Sequence, residues 1–133
     1  MRFTIEFEKN TKTFIVTTKG AMTIKGEGDM IMQLISHPLW HAKHNLVVDH
    51  RQTDTAILSD GDITTLSVLI KMFAQHLGDI KTAIIMSNLA DLKRVKEWQQ
   101  QISNIVTAIP YICQDMQSAM AWLANSEQAE PVD

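Results

Sequence analysis

The first eight residues alternate: Phe3, Ile5 and Phe7 are apolar, while Arg2, Thr4, Glu6 and Glu8 between and around them are polar. A period of two marks a strand buried on one face. Lys9-Asn10-Thr11-Lys12 supplies a turn, and Phe14, Val16 and their β-branched neighbours Ile15, Thr17 and Thr18 form the return strand, ended by Gly20. The period then changes. Met30, Ile31, Leu34 and Ile35 recur at helical spacing and predict a helix over 29–37, entered from Thr23 and closed by Pro38. Leu46-Val47-Val48 reads as a buried strand that breaks into three ionisable residues, Asp49, His50 and Arg51, at the edge of a sheet where α/β proteins place their sites.

Ile63, Leu66, Ile70, Phe73 and Leu77 predict an amphipathic helix over 59–77, with Gly78 at its C′ position. The run 80–87 reads as an interior strand, and Asn88 as the cap of a helix on which Leu92, Val95, Ile102 and Ile105 repeat. A short strand over 110–114 follows, and Asp115 caps a last helix over 116–124. The order β-β-α-β-α-β-α-β-α makes this an α/β protein with a single mixed five-stranded sheet. Right-handed crossovers carry the helices onto its faces. The domain covers 1–124; residues 125–133 lack an apolar anchor and read as a disordered tail.

Composition narrows the function classes. The chain has 133 residues, enough for one domain with a real core. A net charge of -3 argues against nucleic acid, since Lys93, Arg94 and Lys96 form the only basic cluster and read as a solvated helix face. The single cysteine, Cys113, excludes an internal disulfide and any cysteine-based zinc site. No stretch approaches the ~20 apolar residues of a membrane span, so a cytoplasmic location is expected.

Several residues could carry chemistry, and each has a plainer reading. Asp49, His50 and Arg51 could bind a ligand or transfer protons; Arg51 could equally pair with Asp49 or Asp54 and pin the turn. Alternation would send Asp49 and His50 to opposite sides of the strand. Ser59 could accept a phosphoryl group at a helix start, or simply cap that helix with Asp60 and Asp62 complementing the dipole. His37, His41, His44 and His50 crowd one segment, but Pro38 keeps them off a common helical face, so no metal is expected. Ser87, with His50 and Asp54, could be arranged as a hydrolase, but Gly-x-Ser-x-Gly is absent. Among eight methionines, Met30, Met32, Met72, Met86, Met116 and Met120 either fill the core or line an adaptable pocket or a dimer face. Trp98, on a mostly polar helix, reads as a partner contact.

Taken in order, the hairpin start, His37-Pro38-Leu39-Trp40, Leu46 to Arg51, the helix entry over 59–63, Ala83-Ile84-Ile85-Met86-Ser87 and Ala119-Met120-Ala121-Trp122-Leu123 resemble the SpoIIAA-like family of the STAS superfamily. The resemblance covers residues 2 to about 124 and implies a bacterial STAS-like fold, related to that of CRAL-TRIO lipid carriers, which works by binding and not by catalysis. Anti-sigma factor antagonists of that superfamily bind a partner kinase and are switched by phosphorylation of a serine; by position the resemblance assigns that role to Ser59, in Leu58-Ser59-Asp60-Gly61. The leading expectation is therefore a regulatory module, needing no cofactor, that binds a protein partner or a second copy of itself, with Ser59 as phosphorylation candidate. Asp49, His50, Arg51, Asp60, Ser87 and Trp98 would mark its binding edge. The alternative is a carrier of a small apolar or lipid ligand held between a helix and the sheet.

Overall fold

A computed structural model describes residues 1–41, 43–55, 59–87, 92–104 and 109–129, the last five as backbone only. Its elements are β1 (Arg2–Glu8), β2 (Thr13–Ala21), α1 (Ile24–Ile35), β3 (Asn45–Asp54), α2 (Asp60–Leu77), β4 (Lys81–Ile85), α3 (Leu92–Ile102), β5 (Tyr111–Cys113) and α4 (Met116–Ala129). They give the expected α/β architecture with one mixed five-stranded sheet. β1 and β2 are antiparallel; β2, β3, β4 and β5 are parallel. In the hairpin turn Lys12 takes a positive φ of 52°, and the Glu8 carboxylate accepts from the backbone N–H groups of Asn10 and Thr11.

The strands lie in chain order, β1-β2-β3-β4-β5. Three crossovers that advance in one direction with one hand must all pass over the same face. The core shows this: α1, α2 and α3 pack with Phe14, Val16, Leu46, Val48, Ile84 and Met86 on one face. α4 alone lies on the other, with Ala119 and Leu123 against Val47, Ala83, Ile85 and Cys113.

Local chemistry sets the boundaries. The Thr23 hydroxyl caps α1 by accepting from Gly26 N–H, and the helix stops at Ile35, two residues short of the expected end. A residue before proline avoids helical backbone, which takes His37 out of the last turn. Ser59 and Asp62 form a reciprocal capping box on α2, and Gly78, with φ 58°, ends it. The Asp115 carboxylate accepts from Ser118 N–H at the start of α4. That helix continues to Ala129, past the tail boundary expected at 125, because neither glycine nor proline intervenes before Pro131. The expected caps and contacts of Leu58, Asn88 and Ile105 lie outside the described residues.

The sequence reading ended β3 at Asp49, and here the structure differs. β3 continues to Asp54, because β2 shifts register between Thr17 and Lys19 and then pairs Lys19, Gly20 and Ala21 with Gln52, Thr53 and Asp54. β4, however, stops with Ile85 opposite Asp49. Residues 50–54 thus overhang the carboxyl edge of the sheet on the β4 side, with the strand geometry intact.

Candidate functional site

Because β3 stays extended, Asp49 and Arg51 share one face and His50 takes the other. Asp49 is buried at 6% exposure. Its carboxylate accepts from Arg51 three times: from the backbone N–H (3.0 Å), from Nε (2.9 Å) and from Nη2 (2.8 Å). Burial alone would raise the Asp49 pKa, but these hydrogen bonds and the guanidinium charge together hold it below the usual range. The pair sits on the α4 face and is fully bonded, a structural clamp at the sheet edge.

His50, at 8% exposure, points under α1–α3. Its Nδ1 lies 2.6 Å from Thr18 Oγ1, which also bonds the Asp49 carbonyl and the Thr53 hydroxyl. Its Nε2 lies 3.9 Å from Glu27 Oε1 in the first turn of α1. Burial pushes the imidazole down to about 4 and the Glu27 carboxyl up to about 7. The histidine is therefore neutral near pH 7, and the contact is a gap between two polar groups, longer than a hydrogen bond.

That gap opens on a cavity of about 150 Å³, the volume open to the centres of water-sized molecules, between the sheet and the three helices. Met30, Ile31 and Leu34 wall it from α1; Ile63, Leu66, Leu69 and Ile70 from α2; Val95 and Ile102 from α3; Leu46, Val48, Ile84 and Met86 from the sheet. The lining is apolar except where Glu27, His50, Thr55, Arg94 and Trp98 meet it, with Thr82 lower on the sheet. Four of these residues carry a buried polar atom with no hydrogen-bond partner: Glu27 Oε1, Thr55 Oγ1, Arg94 Nη1 and Trp98 Nε1. Buried polar groups are nearly always bonded, so four orphans in one apolar cavity make it the candidate site.

The structure thus divides the residues named from the sequence. His50 and Trp98 come together in the cavity; Asp49 and Arg51 turn away from it. Trp98 is half-buried and packs against the main core and against Met22 and Ile63. Ser59 and Asp60 are exposed at the start of α2, the Ser59 hydroxyl accepting from Asp62 N–H, and Ser87 is exposed after β4. Met30 and Met86 line the cavity, whereas Met32 and Met72 are exposed, and Met116 and Met120 pack on the α4 side. His37, His41 and His44 cluster with Phe7, Phe14 and Trp40; among the described residues no three potential ligands converge on a metal position.

Glu27, Thr55 and Arg94 escaped the sequence reading as site residues. Arg94 is not part of a wholly solvated face: it shares an inward stripe with Val95, Trp98 and Ile102, a spacing visible in the chain but masked by Lys93 and Lys96. Thr55 carries no local signal. Glu27 could have been found as an acid in a helix start flanked by two glycines and followed by Met30 and Ile31.

No protein-family model and no curated protein matches this chain. Among solved structures it is similar to an uncharacterised protein of the DUF3478 family from Shewanella loihica, described as having a SpoIIAA-like fold. The two are 15% identical with a TM-score of 0.56, and the match covers 92% of each chain. Identity that low speaks for the fold alone. Strand order, helix placement and this likeness agree: the chain has a SpoIIAA-like fold.

Proposed function

We propose that this STAS-type module binds a small, largely apolar molecule in the cavity beneath α1–α3 and does so without covalent chemistry. The observation that carries the reading is an apolar cavity of about 150 Å³ whose lining residues carry four unpartnered polar atoms. A void of roughly that volume suits a benzene-sized body, and polar groups at one end would fix its orientation. His50, the one buried imidazole lining the cavity, holds the Thr18 hydroxyl on Nδ1, and that hydroxyl is itself tied to Thr53 and the Asp49 carbonyl, so the contact serves to hold β2 to β3.

Native mass spectrometry of the freshly purified chain tests this. The expected result is a mass above 15.0 kDa that denaturation removes, or, for protein purified empty, a rise in melting temperature with hexanol. Val48→Phe, which fills the cavity, should abolish both. A bare chain that no small apolar molecule stabilises would overturn the reading.

A second reading, binding of a protein partner switched at Ser59, draws on the exposure of Ser59 at the start of α2, the helix that roofs the cavity. A phosphoryl group there would displace the hydroxyl from Asp62 N–H and meet Asp60 and Asp62, loosening the first turn of the roof. Incubation with kinases and mass spectrometry of the Ser59 peptide, alongside a pull-down, tests it; an unmodified Ser59 and no captured partner would reject it.

A further inference from the structure

Of the four unpartnered groups in the cavity three can donate, and Glu27 Oε1 is the one pure acceptor among them. Trp98 Nε1 and the Arg94 guanidinium can only donate, Arg94 carries a fixed positive charge, and the Thr55 hydroxyl can donate as well as accept. Each of the three has an atom sealed from solvent without a partner, and Thr55 as a whole is 5% exposed. Among the described residues Glu27, the one carboxyl lining the cavity, makes no ion pair with Arg94; its contact is with His50. Arg94 and Trp98 stand four residues apart on α3 and share a face, while Thr55 directly follows β3 at the carboxyl edge of the sheet.

We propose that the occupant is a monocarboxylate of medium chain length, its two oxygens accepting from Arg94, Trp98 and Thr55 and its chain lying among Met30, Leu34, Val48 and Ile84. This rests on the reading of the cavity as a ligand site and adds the chemistry of the head group. A guanidinium whose Nη1 is sealed and, among the described residues, without a partner matches one negative charge, and its planar fork suits a planar carboxylate. A neutral alcohol would leave that charge uncompensated in an apolar site, and a phosphate dianion would bring a second charge with no cation to meet it. The cavity volume limits the chain to roughly six to eight carbons, by comparison with voids that hold benzene. Burial keeps Glu27 protonated up to about pH 7, so it does not oppose the incoming anion.

Matched pairs that differ only in the head group test the assignment: hexanoate against hexanol and octanoate against octanol, titrated calorimetrically into the full chain. Each acid is expected to bind about 10- to 100-fold more tightly than its alcohol. Arg94→Met should erase that preference and leave the alcohol within about threefold of its original affinity. Trp98→Phe and Thr55→Val each keep the packing and remove one donor; they should weaken the acid by about 3- to 10-fold and spare the alcohol. These two variants carry the test if Arg94→Met does not fold. Alcohols that bind as tightly as acids, or an acid preference that survives all the folded variants, would overturn the carboxylate assignment while leaving the cavity as an apolar site. Binding of neither acid nor alcohol would overturn both.

Discussion

Two pairs of ionisable groups meet along β3, one residue apart and on opposite faces. On the α4 face, Asp49 is buried and every nearby bond it can make is made by Arg51. On the helix face, His50 is buried as deeply and Glu27 nearly so, yet they stand 3.9 Å apart with Glu27 Oε1 unbonded. Strand alternation alone assigns one pair to holding the sheet together and leaves the other at the wall of a cavity. Burial therefore does not separate the two pairs; completeness of bonding does.

The largest effect should come from breaking the completed pair. Arg51→Ala leaves a buried carboxylate with only a backbone donor and should lower stability by about 2–3 kcal/mol in urea unfolding, less than a fully buried pair would lose because the guanidinium is partly exposed. Adding Asp49→Ala to Arg51→Ala should cost less than the two single losses added together. A change below about 0.5 kcal/mol for Arg51→Ala would mean the pair does not hold the edge.

The incomplete pair should show itself through pH. In an unfolded chain Glu27 ionises near its ordinary value of 4.5, whereas the folded chain keeps the proton to about 7, so stability falls as pH rises through that window. His50 acts in reverse: it charges near 6.5 when unfolded but only near 4 when folded, so stability is lost as pH falls between those values. From about 4.5 to 6.5 the two slopes oppose one another and the native chain should be nearly flat. Glu27→Gln removes one slope. The variant should then gain about 1.4 kcal/mol per pH unit over that window and exceed the native chain at pH 8 by up to about 3 kcal/mol. Parallel profiles for the two proteins would show that Glu27 is not held protonated by the fold.

The smallest effect sharpens the contrast. Thr55→Val replaces an unbonded hydroxyl by a methyl group of the same shape and should raise the melting temperature slightly, by about 1 kcal/mol or less in stability. Arg51→Ala and Thr55→Val would then differ in sign, one removing a used polar group and the other an unused one. A clear loss of stability in Thr55→Val would show that the hydroxyl has a partner in the native protein.

Local signals carried most of the fold. Alternation gave the hairpin, the three- and four-residue spacing gave α2, and the Ser59, Thr23 and Asp115 caps are all in place because each depends on atoms within a few residues. Alternation also separated Asp49 from His50. A pocket between helix and sheet lined by Met30 and Met86 was an expectation, but its place and polar lining were not legible, because an unfilled volume is a property of how four elements meet and not of any one of them. Trp98 shows the difficulty: its neighbours Lys96, Glu97, Gln99 and Gln100 are polar, yet helical phase turns its ring inward. The overhang of β3 depended on β2 shifting register, which no pattern in β3 itself announces.

The unbroken strand order has a consequence for how the chain folds. Every ladder of the sheet joins strands that are neighbours along the chain, so no strand waits for a partner from the far terminus. The β1–β2 hairpin closes on a four-residue turn and offers β2 as a ready edge; β3, β4 and β5 can then dock one at a time, each bringing its crossover helix with it. Such a sheet keeps the entropy of each closure modest and can grow in the direction of synthesis.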